Sequence, residues 1–411
     1  MSKSSLNQTR SLAFWFNLSD QERLNDIVKE TSLHINYWQF LDSHEKRSFC
    51  KKYLSFFSKN QNRKSDDYLD LGLMIPVDAA LEEIYFYLPL TLKKKSVEDI
   101  SKNFKTSDIA KGIFNENLQV TDITDKSGLL LKKPQTNGSY CWVQSLHTTS
   151  DGKISENALS VEPFANNDGT QITIPKSMLS TALDNADEHN KCYFRIRICV
   201  SKSEAKSFVH TIKPADKSIT SSYESTKFID FRLNESRLLP NEIEPQIRKS
   251  QGKFCLPASR VDFLLAAKMQ ADIVGGNKEF HKSRFLEPDL WKNYFSTAME
   301  NAQQHISNGM VVYHWKKETK NEIHFDDFIA FVKLRERLSG TKLVWRYLLF
   351  AFTIGLLGSL CGSLLYSGPP NLDEMKNNWS NVFDTGNSED TANGSMKKLV
   401  AQQNEVRTTN D

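Results

Sequence analysis

The sequence predicts an α+β protein with a mixed, mainly antiparallel sheet, flanking helices, a helical N-terminal extension and one C-terminal transmembrane helix. Three observations lead there. From about residue 68 to residue 330, short runs alternate apolar and polar residues between turn signals, as in a sheet with one buried face. Residues 1–67 read instead as polar, basic helices. Tyr347–Tyr366 reads YLLFAFTIGLLGSLCGSLLY, 20 residues without a charge.

In the N-terminal region, Ser19-Asp20-Gln21-Glu22 is a capping box and predicts a helix to about Glu30. Asp42-Ser43-His44-Glu45 predicts a second, to about Lys59. This one carries Phe49, Tyr53, Phe56 and Phe57 on one side and Arg47, Lys51 and Lys59 on the other. A basic helix with an aromatic stripe suits docking on the main domain, an anionic membrane surface or, third, nucleic acid. Residues 60–67 read as a linker.

The next segment reads as strands at about 83–92, 117–121, 128–132, 139–147, 157–162 and 170–174, with short helices at about 96–104 and 107–115. Lys191–Val200 is the clearest strand. Strands at 208–213 and 227–233 continue the sheet. Leu239-Pro240 places proline in the first turn of a helix to about 250. Residues 253–274 read as strand first, then mixed. Pro288-Asp289 opens a helix to about His305, Asn308-Gly309 breaks it, and Met310–Lys317 is a strand. Phe325, Phe328, Ile329 and Val332 form one apolar face of a last helix, to about Leu338. Residues 331–346 read as a basic juxtamembrane segment and 367–411 as a polar, disordered tail.

The chain has 411 residues, room for about two or three domains. At 39% hydrophobic and 11% aromatic residues it can bury a sizeable core. Its net charge of +3 is too small for a dedicated polyanion binder, so nucleic acid is not an expected partner. The six cysteines are scattered, with no CxxC pair, which predicts reduced thiols rather than a disulfide scaffold. The apolar patch Leu12–Phe16 is too short for a signal peptide.

At 1.5 Å per residue the uncharged run spans about 30 Å, the thickness of a bilayer's hydrocarbon core. Trp345, Tyr347 and Tyr366 stand at its ends, where interfacial aromatics belong. Lys333, Arg335, Arg337, Lys342 and Arg346 precede it, and Lys376 is the first basic residue after it. That asymmetry predicts a single-pass protein of the plasma (inner) membrane with a cytoplasmic N-terminus and an external C-terminus. Asn378-Trp379-Ser380 and Asn393-Gly394-Ser395 are glycosylation sequons on the outer tail. Gly355, Gly358, Ser359 and Gly362 share one helical face, a small-residue row through which such helices self-associate.

No P-loop, GxGxxG, GxSxG, HExxH or zinc-spaced cluster occurs, so no cofactor and no metal is expected, and catalytic residues stay unassigned. Asp289 with Glu318 and Lys320 imitates a nuclease pattern, but Asp289 opens a helix instead of ending a strand. The better candidate is a set of polar strand faces. In 191–200, alternation places Cys192, Phe194, Ile196, Ile198 and Val200 on one side and Tyr193, Arg195 and Arg197 on the other. Asp230 and Arg232 share a face of the 227–233 strand, and His314 and Lys316 a face of 310–317. If these faces converge they form a pocket whose guanidinium forks suit a small phosphate- or carboxylate-bearing ligand; if they do not, they are solvated faces with cross-strand ion pairs. The function expected is a membrane-anchored sensor or interaction module, with a protein partner or a small anionic ligand. The alternatives are a membrane-acting effector of a defence or cell-suicide system and a membrane-tethered enzyme.

Overall fold

The computed structural model describes residues 10–41, 66–123, 126–136, 138–149, 153–165, 168–186, 191–212, 224–277, 280–295, 299–319, 324–337 and 341–367. The chain divides after residue 338 into two units. In chain order the first runs β1 (Ala13–Leu18), α1 (Leu24–Glu30), β2 (Ser32–Trp38), β3 (Asp67–Pro76), β4 (Leu81–Leu88), β5 (Val97–Asp99), α2 (Ser107–Phe114), β6 (Gln119–Asp122), β7 (Gly128–Lys133), β8 (Gly138–Gln144), β9 (Ser160–Pro163), β10 (Thr170–Ile174), α3 (Lys176–Ala186), β11 (Lys191–Val200), β12 (Val209–Ile212) and β13 (Glu224–Leu233). It continues with α4 (Ile243–Gln251), β14 (Arg260–Lys268), β15 (Ala271–Gly276), β16 (Phe280–Phe285), α5 (Pro288–Lys292), α6 (Glu300–Ser307), β17 (Met310–Glu318) and β18 (Phe328–Arg337). The second unit contains α7 (Thr341–Ser367).

The mixed α+β class holds. The described strands form three sheets, and all but two of the pairings are antiparallel. The largest has the order β16-β17-β14-β2-β3-β11-β8-β7-β6, with β5 also on β11; β14–β2 and β11–β8 are its parallel pairs. Two four-stranded sheets, β1-β4-β10-β9 and β12-β13-β18-β15, complete the set.

Alternation explains the layers. Leu33, Ile35 and Tyr37 of β2, Leu69, Leu71 and Leu73 of β3, and Phe194, Ile196 and Ile198 of β11 lie on one face of the large sheet. They share a core with Phe14 and Phe86 of one small sheet and Phe231 and Val332 of the other. Period-2 placement moves every second side chain to the opposite face. There Trp38, Met74 and Tyr193 pack beneath α2, α5 and α6, against Phe114, Trp291, Tyr294 and Ile306. A third cluster seats Ile243 and Ile247 of α4 on Trp15 and Tyr87.

Several expectations are met in detail. The first helix ends at Glu30 as the capping box implies, although Asp20 and not Ser19 accepts from the Glu22 amide. Lys191–Val200 is a strand over its whole length, and the strand ending before Pro89 is β4.

Others are corrected. The helical N-terminal region gives way, over the described residues 10–41, to two strands around one helix. β2 lies inside the large sheet between β14 and β3, because SLHINYW alternates and finds partners on both edges. The expected helix at 42–59 lies outside the described residues, as does the tail beyond 367. The expected helix at 325–338 is β18. The i, i+3, i+4 spacing of its apolar residues coexists with a period-2 set, Phe328, Ala330, Val332 and Leu334, and ten residues of pairing with β13 select the strand. The juxtamembrane segment 331–346 is therefore sheet as far as Arg337. The single helix expected from Pro288 to His305 is two short ones, with Tyr294 and Phe295 in the bend between them. Residues 94–105 form 3-10 turns around β5 rather than one helix.

Candidate functional site

The register of the large sheet assembles a polar stripe on the helix-covered face. One cross-strand row is Arg195–Gly72–His34–Asp262–Lys316, on β11, β3, β2, β14 and β17. The next is Arg197–Asp70–Asn36–Leu264–His314–Lys282, reaching β16. Arg195, Arg197 and His314, singled out from sequence, therefore share one face of one sheet. Asp230 and Arg232 do not join them. They sit on β13 in another sheet and pair with each other, Nε–Oδ1 2.9 Å and Nη2–Oδ2 3.1 Å, as a local ion pair.

Two environments divide the stripe. The arginine end is closed. Arg197 donates to Asp70 from Nε at 2.7 Å and from Nη2 at 2.9 Å. Trp38 Nε1 and Tyr294 Oη also donate to Asp70, at 2.8 and 2.9 Å. Arg195 donates to Tyr294 Oη at 2.7 Å and Tyr193 Oη at 2.8 Å, while its Nη2 stands 3.9 Å from Asp70. The Arg197 guanidinium lies 4.0 Å from the Phe295 ring centroid and 4.6 Å from that of Tyr294. The bend between α5 and α6 supplies both rings, and Gln303 secures it by donating to the Phe295 carbonyl at 2.9 Å. Burial pushes the Asp70 carboxyl up, but the Arg197 charge and hydrogen bonds outweigh it and hold the group below its ordinary value. Both arginine side chains are out of solvent. Their reading as open ligand forks is corrected: they are core ion-pair and hydrogen-bond donors.

The other end is open. Arg260, Asp262, His281, Lys282, Arg284, His314 and Lys316 line a cleft floored by the C-terminal turn of α2, Gly112 to Asn115. Its cavity volume is about 100 Å³, and it opens to solvent. Asp262 is its fixed point. It accepts from His314 Nε2 at 2.7 Å and Arg260 Nε at 2.5 Å, and His34 Nε2 is 3.7 Å away. Burial pushes Asp262 up, yet the His314 hydrogen bond, the neighbouring His34 and Arg260 hold it far below the usual carboxylate range. It is therefore ionised, and the His314 proton sits on Nε2. His34, fully enclosed behind Asp262, is driven by burial down to about 4, with Asp262 offsetting only part of the effect.

His281 enters the cleft through a β-bulge. Phe280 pairs with Trp315 and Lys282 with His314, so His281 is an extra residue on β16. Bulges re-aim side chains; here the consecutive residues His281 and Lys282 both line the cleft, where strict alternation would send one to each face. The His281 ring meets His314 edge-on, with centroids 5.4 Å apart. Partial desolvation, then His314, Lys282 and Lys316, hold the His281 imidazole below its ordinary value. Arg284 donates to the Gly112 carbonyl at 3.2 Å, covering the negative end of α2, and Lys316 pairs with Glu318 at 2.7 Å. Among the described residues Lys282 has no acidic partner.

Sequence reasoning found His314 and Lys316 but not Asp262, Arg260, His281, Lys282 or Asp70. Asp70 and Asp262 were detectable in principle, as acids inside the apolar runs DYLDLGLMIP, which also opens on Asp67, and RVDFLLAAK. The bulge has no simple sequence signal. Among the described residues no group of three or more His, Cys, Asp or Glu is placed to hold a metal ion.

Comparison of the sequence with known protein families and with curated proteins finds no match. Among solved structures, the Fcho1 Mu homology domain from Danio rerio with bound Eps15 peptide is similar over 81% of this chain and 82% of that one. The identity is 7% and the TM-score 0.15, too low to carry any argument.

In the second unit, Tyr347–Tyr366 has a mean hydropathy of 2.1 and no buried residues, and is long and apolar enough to cross a membrane. Gly355, Gly358, Ser359 and Gly362 all lie within it and are exposed. Among the described residues, nothing beyond the helix's own neighbouring backbone lies within 4 Å of a Cβ added at any of the three glycines.

Proposed function

We propose that the protein is a membrane-anchored binding module in which α7 crosses the membrane and the cleft on the large sheet receives a small anion. The observation that carries this reading is the convergence of β14, β16 and β17: Arg260, Lys282, Arg284 and Lys316 line one cleft, where Arg260 and His314 already satisfy Asp262, Lys316 pairs with Glu318, and the cations remain in excess. Cations concentrated in a low-dielectric recess attract and retain anions. The closed Arg195–Arg197 network beside it stiffens the sheet on which the cleft is built.

The basic residues before the span support a cytoplasmic sheet unit and an external C-terminus. The small-residue face of α7 joins copies of the chain. A reporter fused to the C-terminus is expected to score as external, and an internal score overturns this topology. Native mass spectra of the full chain released from detergent test the ligand: a small anion is expected to co-purify and to be lost on dialysis. Replacing Lys282→Ala and Lys316→Ala together is expected to weaken anion binding about tenfold or more. Unchanged binding returns the cleft to an ordinary solvated sheet face.

A further inference from the structure

The charge and geometry of the cleft specify more than an anion. We propose that its ligand is a phosphomonoester group, a tetrahedral dianion, and that binding draws a proton onto His281. The inference rests on the anion-binding reading above and deepens it.

Three features select this ligand. The first is charge: Arg260, Lys282, Arg284 and Lys316 line the cleft against two carboxylates, Asp262 and the Glu318 that pairs with Lys316, an excess of two positive charges that a dianion matches and a single ligand carboxylate does not. The second is direction. Donors arrive from three strands: Arg260 from β14, His281 and Lys282 from β16, and His314 and Lys316 from β17. Oxygens disposed tetrahedrally can accept from several directions at once, whereas a carboxylate accepts in one plane. The third is the bulge, which adds His281 beside Lys282 on the same rim.

The proton linkage follows from what faces the imidazoles. Around His281 and His314 stand Lys282 and Arg284 on β16, Lys316 with its partner Glu318 on β17, Arg260 and Asp262 on β14, and His34 on β2. The lining turn of α2, Gly112 to Asn115, contributes no ionisable side chain. Cations dominate, so protonating His281 is disfavoured while the cleft holds no anion. A dianion within about 4–6 Å reverses the balance and favours the imidazolium. Affinity for a tetrahedral anion that keeps both charges therefore rises as pH falls from about 8 to 6, through the range in which imidazoles titrate.

Sulfate is the probe, because it is tetrahedral and keeps two charges throughout that range. The full chain in phosphatidylcholine nanodiscs is titrated with sodium sulfate at pH 7 by calorimetry, in two buffers of different ionisation enthalpy. Sulfate is expected to bind with uptake of about half a proton, and succinate, a dianion of two planar carboxylates, about tenfold more weakly. His281→Gln, at an exposed position, is expected to weaken binding and abolish the uptake. Sulfate binding without proton uptake, or succinate binding equally well, overturns this inference and leaves the anion-binding reading intact. No binding of either anion overturns both. Repeating the titration in phosphatidic acid nanodiscs distinguishes the source of the phosphate. Weaker apparent sulfate binding there assigns a lipid head group; equal binding assigns a soluble phosphomonoester.

Discussion

Arg197 on β11 and Asp70 on β3 stand directly opposite in register and close a two-pronged ion pair, at 2.7 and 2.9 Å, with both side chains buried. The pair accounts for why an arginine-rich strand face can sit inside a core. Asp70 receives four donors in all: both prongs of Arg197, the Trp38 indole and the Tyr294 hydroxyl. Arg195 is held through Tyr294, which accepts from Arg195 and donates to Asp70, so one carboxylate anchors two guanidiniums. This is a structural use of arginine, and the open cleft three strands away is where charge stays accessible.

Removing the anchor tests that division. Asp70→Ala leaves two guanidiniums buried without a carboxylate, and breaking a buried pair by removing one partner costs about 3–5 kcal/mol. The full loss is expected in chemical denaturation of the sheet unit. A loss below about 1 kcal/mol, the range of exposed pairs, sinks the claim that the network is buried and intact.

Gly72 is a second pressure point. A Cβ there would lie 2.0 Å from Tyr193 Oη and 2.8 Å from Arg195 Nη1, so the side chains crossing it require a bare backbone. Gly72→Ala is expected to destabilise by about 1–3 kcal/mol, the usual range for overpacking. Because the nearest obstacle is a hydroxyl, Tyr193→Phe in the same chain should recover part of the loss. A double-mutant cycle measures the coupling, and strictly additive costs contradict the clash.

His34 makes stability depend on pH. Its folded value is about 4, below the ordinary imidazole value of 6.5, because burial disfavours the charged ring. Between those values the unfolded chain binds more protons, so stability is full above about pH 6.5 and falls as pH drops toward 4. The loss over the window is roughly 3 kcal/mol at 1.36 kcal/mol per pH unit. His34→Gln should flatten this part of the curve, as followed by urea midpoints at a series of pH values. An unchanged slope assigns the acid sensitivity to other groups.

Much of this was legible in the sequence, and the failures have a common cause. Alternation in Lys191–Val200 separated the Arg195–Arg197 face from the Phe194–Ile196 face, and the sheet keeps that separation. Local pattern also placed β10, β17 and α1. It failed where two periods fitted the same residues, as in Phe328–Val332, and pairing with β13 decided between them. The candidate site was half legible for the same reason. His314 was visible on its own strand, whereas its partners Asp262 and His281 come from β14 and from the bulge in β16, and only sheet register brings them within reach.

The apolar helix supplies the last prediction. Gly355, Gly358, Ser359 and Gly362 recur at spacings of three and four, so they lie along one side of α7. Lipid chains are as apolar as leucine, so packing and close backbone approach, rather than hydrophobicity, drive helix association in a bilayer. Gly358→Leu inserts a side chain at the point of approach and is expected to weaken self-association by about 1 kcal/mol or more, some fivefold in dimer population at fixed lipid ratio. Leu360→Ala, on the far side of the helix from Gly358, should leave it unchanged. Energy transfer between labelled full-length chains in vesicles of defined protein-to-lipid ratio reads both. Equal transfer for the wild-type chain and Gly358→Leu removes the small-residue face as the contact, and a loss with Leu360→Ala instead moves the contact to the opposite side of the helix.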